Sequence, residues 1–446
     1  MAEISQAPVQ LMAMGTEDAK CDFKPMEMYR RPLGDYDVLI DMKYCGVCHT
    51  DVVYANGRTS MFMKPKYPAV PGHELAGVVE QIGPKVTKFQ VGDQIGVGTM
   101  IDSCLSCKHC KNGDEQKCKK TVATYAGEDW SGRAAPYPAT REVPGKPGKK
   151  EKGPLIGGYS TKCVIFERFG VKIPNSFPLE AAGPVMCAGI TMYTPLKDHG
   201  AGPGVSVGVV GLGGLGIMGI KVAKEMGCHV TAISRSRAKE EIAKRAGATS
   251  YIATAESADL AAATQSLDII LDTIPCDHSI SPYKKMLRDS NSRLVLLGLC
   301  PQMVGALLAA NVLGPRSTVT FSITGGITNL EELMALCDKA EPKIVPQLKI
   351  MPVEELNNIF TILETSNDEA LRYVLDLSTL NKETASRCTS SPPKMNAGEK
   401  PISGGDVMRN CCSIICGECS PCCCWHCMTC GLCWSKKSRS KVSASE

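Results

Sequence analysis

Apolar and polar positions alternate through Tyr36-Asp37-Val38-Leu39-Ile40-Asp41-Met42, which predicts a half-buried strand. Val78 to Gly83 and Gln94 to Gly98 read as further short strands, and Val91-Gly92-Asp93 is a turn between them. Residues 1–35 carry little pattern and read as a short lead. Residues 130–154 are rich in Pro, Gly and Lys and predict an exposed loop with no core of its own. Strand pattern resumes from Tyr159 to Lys172, and Ala181 to Pro195 reads as helix. The first part of the chain is therefore β-rich and barrel-like.

The period then changes. Val205 to Val210 is a continuous apolar run, as a buried strand requires, followed by Gly211-Leu212-Gly213-Gly214-Leu215-Gly216 and an apolar helix through Met226. His229 to Ile233, Leu267 to Asp272 and Arg293 to Gly298 are later strands of the same kind. Strand and helix alternate from about residue 190 to 325, which predicts a doubly wound parallel sheet. Residues 330–376 add helices and a terminal strand, Tyr373 to Leu377. After Leu380 the chain turns to Ser, Thr, Pro, Gly and Lys, the composition of a flexible linker.

At 446 residues the chain exceeds one core, so two domains and an appendage are expected. A net charge of +4 with 22% charged residues gives no electrostatic case for nucleic acid. No apolar run reaches about 18 residues and no N-terminal h-region precedes the fold, so neither a spanning helix nor a signal peptide is expected and the chain is assigned to the cytoplasm. Cysteine changes the picture: of 24, ten fall between Cys411 and Cys433. The others lie in a chain without a secretory signal, where metal ligation or free thiols outrank disulfides.

Two segments carry candidate chemistry. Cys45-Gly46-Val47-Cys48-His49-Thr50-Asp51 and Pro71-Gly72-His73-Glu74 place thiols and an imidazole some 25 residues apart, each beside a carboxylate. Such a set suits a zinc ion with three protein ligands and a fourth position open to substrate; Cys187 is the candidate third ligand. Cys104, Cys107, Cys110 and Cys118 follow the spacing C-x2-C-x2-C-x7-C, which can close a tetrahedral shell around a structural zinc. Lys108, Lys111, Lys117, Lys119 and Lys120 around them would offset the charge of a tetrathiolate site. The glycine run has the strand–turn–helix context of a dinucleotide site. Gly211 permits the turn, Gly213 the approach of a pyrophosphate, and Gly216 close packing of helix on strand. An acid at the end of the second strand would bind the ribose of NAD. The sequence instead has Ser234-Arg235-Ser236-Arg237 and Lys239, which suits a 2′-phosphate; NADP(H) is expected, with Arg235 as main anchor.

Gly72-His73-Glu74-x2-Gly77-x5-Gly83-x2-Val86, with Cys48 to Asp51, Met186 to Thr191 and Gly211 to Gly216, resembles the zinc-dependent medium-chain alcohol dehydrogenases, most closely the cinnamyl alcohol dehydrogenase branch. The resemblance spans about residues 35–380. It implies a GroES-like β-barrel catalytic domain (1–187) and an inserted Rossmann domain (188–325). Completion of the barrel (326–380), a linker (381–410), the Cys-rich tail (411–446) and a homodimer complete the expected organisation. It implies interconversion of primary alcohols and aldehydes, with two zinc ions per subunit. Cys48, rather than Cys45, matches the ligand that precedes His-Thr, with His73 and Cys187. Asp51 matches the carboxylate that orients the histidine, Glu74 the acid beside the metal, and Thr50 the proton-relay hydroxyl. His49 matches a cofactor-phosphate contact. Leu212, Gly214 and Leu215 belong to the pyrophosphate turn, and Thr191, Thr273, Gly298, Ser322 and Thr324 fall where the family lines the nicotinamide. The chain departs from the family at Val53, where many relatives carry a His, and at Ala123 and Ile323, where lignin-type enzymes carry an indole and a Phe.

Three functional readings follow. The leading one is an NADPH-linked aldehyde reductase. A polyol or sugar dehydrogenase is weakened by the missing strand-end acid, and a non-catalytic scaffold by the complete ligand sets. His109 reads as a solvated loop residue, His199, His229 and His278 as structural, and Cys163, Cys228, Cys276, Cys300 and Cys337 as small core residues. In the tail, Trp425, His426 and Trp434 interleave with cysteines ahead of Lys436-Lys437-Ser438-Arg439. That composition fits S-acylation with membrane association or, alternatively, zinc or copper(I) binding.

Overall fold

The strand Asp37–Val47 is the spine of the first sheet. One edge pairs with Glu74–Ile82; the other is shared by Lys162–Phe166 and, farther along, by Arg372–Asp376 from the far end of the chain. This computed structural model describes residues 8–58, 64–126, 140–142, 150–152, 156–298, 318–365, 371–381 and 383–384. The sheet continues through Gln94–Val97 to Gly170–Lys172 on one side and through Leu348–Pro352 on the other. Its interior holds Ile40, Met42, Leu75, Val97 and Leu375, all buried, with Val38, Ile40 and Met42 alternating along the spine. The returning strand pairs Tyr373 with Val47 and Leu375 with Cys45, so residues more than 300 positions apart finish one sheet.

Between these two visits the chain builds a second sheet. Its strands lie in the order Ser250–Ala253, His229–Ser234, Ser206–Val210, Ile269–Asp272, Arg293–Leu296, Val319–Phe321, every neighbouring pair parallel. This is the 3-2-1-4-5-6 order of the dinucleotide-binding doubly wound fold. The helix Gly214–Glu225 packs on it through Ile217, Met218, Ile220 and Val222. One apolar cluster runs from Val207 and Val209 through Met186 and Ile190 to Leu333, so the two sheets share a core along the helical segment 179–198.

The structure revises four expectations. The lead is not patternless: Val9–Gly15 and Lys24–Arg30 form an antiparallel pair with Leu11, Ala13, Met14 and Met28 buried. Methionines supply much of that face, and unbranched side chains do not announce a strand. The segment 130–154 contains two short strands, Thr140–Glu142 and Lys150–Lys152, which extend the same sheet. Leu348–Pro352 is an additional strand whose apolar residues are largely exposed, so no core-facing alternation marked it. Cys276 is exposed, not core, because it sits in the turn after Ile269–Asp272. Cys21, Cys163, Cys228 and Cys337 are buried, whereas Cys300 and the linker and cysteine-rich tail after residue 384 lie outside the described residues. Among the described residues no helix is long and apolar enough to cross a membrane.

Asn357 ties the N-terminal pair to the last helix. Its Oδ1 accepts from the Phe23 N–H at 3.0 Å and its Nδ2 donates to the Phe23 carbonyl at 3.3 Å, all buried. Asn357→Ala leaves both backbone groups without a partner, and the expected loss is about 2 kcal/mol in urea unfolding. Unchanged stability would show that the N-terminal strands are not anchored there.

Candidate active site

Three elements bring donors to one point. Cys48 caps the helix His49–Ala55, which begins directly after the spine strand. His73 precedes the strand Glu74–Ile82. Cys187 lies in a widened π-type turn, Val185–Gly189, inside the helical segment 179–198; such turns re-aim side chains at functional sites. Cys48 Sγ and Cys187 Sγ are 3.9 Å apart, and His73 Nε2 is 3.1 Å from Cys187 Sγ. Two ~2.3 Å zinc–sulfur bonds at a tetrahedral angle place sulfurs about 3.8 Å apart, so the donor set has the spacing for that ion. Cys45, the neighbouring thiol, is buried in the sheet core and is not part of this group.

The imidazole is held by Asp51, itself fully buried. Asp51 Oδ1 accepts from His73 Nδ1 at 2.9 Å and from the Gly72 N–H at 3.2 Å. Oδ2 accepts from the Cys48 N–H at 3.0 Å and from the Tyr159 hydroxyl at 2.9 Å. With Nδ1 committed as donor, the Nε2 lone pair faces the two thiols. The backbone that delivers these contacts depends on Gly72, whose φ is +102°. A Cβ there would strike the Tyr159 ring and the Gly158 nitrogen. Tyr159 N–H bonds the Pro71 carbonyl and Gly158 N–H that of Gly72, so the two segments lock together under the histidine.

Glu74 is buried against the same group. Its Oε1 accepts from Arg372 Nη2, and its Oε2 has no hydrogen-bond partner among the described residues. Burial pushes its pKa up to about 7, although Arg372 opposes the shift. A buried carboxylate grouped with two thiols and an imidazole is the environment a divalent cation satisfies. Arg372, at the start of the returning strand, was missed by sequence reasoning; its guanidinium also lies 3.7 Å from Cys187 Sγ. Thr50 Oγ1 is 3.6 Å from Cys48 Sγ. His49 turns to Glu364, which also pairs with Arg58, at an Nε2–Oε1 distance of 3.1 Å. Tyr125 is buried with its ring centroid 5.8 Å from that of His73, while Ala123 is half-buried and Val53 is buried on the helix after Cys48.

The four spaced cysteines also converge. Sulfur distances are 3.5 Å for Cys118–Cys104, 3.6 Å for Cys107–Cys110 and 3.8 Å for Cys104–Cys110. The Cys107 N–H donates to Cys104 Sγ and the Lys120 N–H to Cys118 Sγ. The five lysines and His109 are exposed around them.

Gly211 follows the first parallel strand with φ +85°, and its carbonyl accepts from Thr273 Oγ1 at 3.0 Å. A Cβ at Gly216 would overlap the Gly211 carbonyl, whereas a Cβ at Gly213 would meet nothing within 4 Å. The open side of Gly213 therefore faces space a pyrophosphate can enter, at the N-terminus of Gly214–Glu225. Leu212, Gly214 and Leu215 complete this turn, and Lys239 Nζ reaches the Leu212 carbonyl at 3.4 Å. Arg235 is exposed beyond Ser234 and has no ion pair among the described residues. Ser236 is exposed next to it. Arg237, expected to contact cofactor, is instead committed to Glu240, Glu256 and Asp259 at 2.8–3.1 Å. Thr191 Oγ1 donates to the Ile323 carbonyl at 3.0 Å, Thr99 Oγ1 donates to Thr324 Oγ1 at 3.3 Å, and the Ser322 N–H reaches the Leu296 carbonyl at 3.2 Å. Gly298 packs on the Ile274 carbonyl. Thr273, Gly298 and Ser322 thus follow the C-terminal ends of parallel strands, and Thr191 reaches Ile323 from the helix Ile190–Asp198.

Residues 34–175 match the family model described as an alcohol dehydrogenase GroES-like domain, and residues 214–339 the one described as a zinc-binding dehydrogenase. A probable cinnamyl alcohol dehydrogenase 7/8 of Picea abies is 36% identical over 366 residues, 82% of this chain and 95% of that protein. Among solved structures, a cinnamyl alcohol dehydrogenase from Sorghum bicolor matches with a TM-score of 0.71 and 31% identity, over 84% of this chain and 99% of the other. The cinnamyl-type enzyme from Helicobacter pylori complexed with NADP(H) gives 0.69 and 32%, over 83% and 99%.

Removing the Asp51 carboxylate frees the imidazole to rotate. Asp51→Ala is expected to lower zinc affinity by about 10–100-fold in chelator competition, while Cys45→Ala leaves it unchanged. Equal behaviour of the two variants would contradict the assignment of the donor set.

Proposed function

The chain belongs to the zinc-dependent medium-chain alcohol dehydrogenases, in their cinnamyl alcohol dehydrogenase-like branch, and we propose that it interconverts primary alcohols and aldehydes with NADP(H). The observation that carries this reading is the meeting of Cys48, His73 and Cys187 beside the buried Glu74 carboxylate. Zinc held there supplies a Lewis acid for a carbonyl oxygen, and the nicotinamide supplies the hydride. The rest is the work of this chain's own side chains. Asp51 fixes the tautomer and angle of His73. Thr50, beside Cys48, holds a hydroxyl where the alcohol proton leaves. Arg372 offsets the charge of Glu74 and the thiolates inside a buried pocket. Burial strengthens each of these electrostatic contacts where charge develops during the reaction.

Cys104, Cys107, Cys110 and Cys118 are proposed to hold a second, structural zinc, with no side left open to substrate. The NADP(H) preference rests on Arg235, free and cationic at the end of the second strand, with Lys239 beside the glycine turn. The solved Helicobacter pylori relative with NADP(H) supports the same preference. Ile323 is 58% exposed, and neither it nor Ala123 offers an aromatic surface to a substrate ring. The proposed substrate range is therefore aldehydes in general rather than cinnamyl compounds alone. A homodimer is proposed from the family's usual assembly.

Initial rates with NADPH and NADH against aliphatic, aromatic and terpenoid aldehydes test the reading. His73→Ala is expected to abolish turnover while NADPH still binds. Arg235→Ala should lower kcat/KM for NADPH by about 10–100-fold, the loss of a charge-assisted contact of about 1.5–3 kcal/mol, and leave NADH nearly unchanged. Arg237→Ala should do far less, because that guanidinium is already paired. A wild-type protein that prefers NADH would overturn the cofactor assignment.

A further inference from the structure

The carboxylate of Glu115 lies inside the four-cysteine lobe, three residues before Cys118, and its side chain is wholly buried. It is not used by any role described so far, yet both of its oxygens are committed. Oε1 accepts from Arg168 Nε at 3.1 Å and Nη2 at 2.6 Å. Oε2 accepts from the backbone N–H of Ile327 at 3.1 Å, the first residue of the helix Ile327–Lys339. The helix end is an electropositive group that a carboxylate satisfies. The approach is close: a Cβ on Gly326 would overlap both the Gly113 carbonyl and Glu115 Oε2. The Cys118 N–H bonds the Glu115 carbonyl at 3.0 Å, so the carboxylate and a thiol of the lobe move as one piece.

What this contact fixes is the strap of residues 322–326. The strap leaves the C-terminal end of the strand Val319–Phe321, the side of an open parallel sheet where ligands bind. Its far side touches the metal helix: Thr191, one turn after Cys187, donates to the Ile323 carbonyl. Thr99 holds Thr324. Glu115 holds the end of the strap through Ile327. The strap therefore runs from the sheet end to the helix that follows Cys187, and Thr191, Thr99 and Glu115 pin it.

We propose that Glu115 is a positioning residue that couples the four-cysteine lobe to the strap 322–326 and thereby sets the affinity for the nicotinamide cofactor. This rests on the NADP(H) reading given above. The lobe then does more than staple its own loop: a well-formed lobe is the condition for a well-placed strap. Binding of NADPH to a strap released at one end carries the cost of ordering it.

The test uses the full chain and NADPH titrated by nicotinamide fluorescence, with zinc content measured in parallel. Glu115→Ala is expected to raise the Kd for NADPH about tenfold, with zinc stoichiometry and kcat at saturating NADPH close to wild type. Glu115→Gln turns an NH2 donor against either Arg168 or the Ile327 N–H and should fall between wild type and Glu115→Ala. A folded, zinc-replete Glu115→Ala protein with wild-type Kd overturns the proposal. If Glu115→Ala does not yield soluble protein, Glu115→Gln is read in the same way, a wild-type Kd overturning the proposal. A wild-type protein that binds neither NADPH nor NADH would instead remove the underlying cofactor reading.

Discussion

The site depends on one saturated carboxylate. Asp51 accepts from an imidazole, a phenol and two backbone amides in a place from which water is excluded. The donors come from three stretches of chain: the turn before the helix His49–Ala55, the Gly72-His73 turn and the segment around Tyr159. A buried carboxylate with fewer partners would be costly, so the four contacts hold or fail together. Because Cys48 and His73 are both tied to it, their spacing is inherited from a hydrogen-bond network rather than from loop rigidity. Cys187 enters from outside that network. It is brought in by packing, since Gly183 presses the helical segment onto the Glu74 carbonyl closely enough to leave no room for a side chain.

The same economy of space explains why the chain visits the first sheet twice. The parallel sheet between the visits supplies strand ends for a dinucleotide, and the shared apolar cluster along residues 179–198 fixes it against the metal helix. The returning strand then closes the first sheet and delivers Arg372 to Glu74. A residue from the end of the fold thus completes a pocket begun near its start. Such long-range closure places the reacting groups on paired strands and packed helices, where positions vary least.

How much of this was legible from sequence varies with the physics that encodes it. The parallel sheet was, because strands buried on both faces must read as apolar runs, and Val205 to Val210 does so. The glycine turn was, because positive φ at Gly211 and the close approach at Gly216 leave little choice of residue. The four cysteines were, since ligand spacing is local. The N-terminal strand pair was not: its inward face is built from Met and Ala, which carry no strand signal. The acidic partners of Arg237 were not, because a sequence shows the cation but not what surrounds it. Glu256 and Asp259 approach it only once the chain has crossed to the next parallel strand and begun the following helix. Tyr159 and Arg372 were missed for a similar reason. A single hydroxyl or guanidinium has no spacing rule, and each acts by reaching a carboxylate more than 100 residues away.

Charge explains why Arg372 belongs there at all. A buried carboxylate, two buried thiols and a second carboxylate on Asp51 crowd acidic groups into one pocket; burial above all, against the opposing pull of Arg372, leaves the Glu74 pKa raised to about 7. A cation bound by both thiolates balances only those two charges. Glu74 would remain as an uncompensated buried anion, which costs several kcal/mol. Arg372 is held charged by Glu74 and the two cysteines even though burial disfavours its charge. It therefore neutralises Glu74 without drawing on the metal. The consequence is structural as well as electrostatic: the pocket is charge-balanced only when the strand Arg372–Asp376 has returned to pair with Asp37–Val47. Completion of the sheet and completion of the site therefore draw on the same strand.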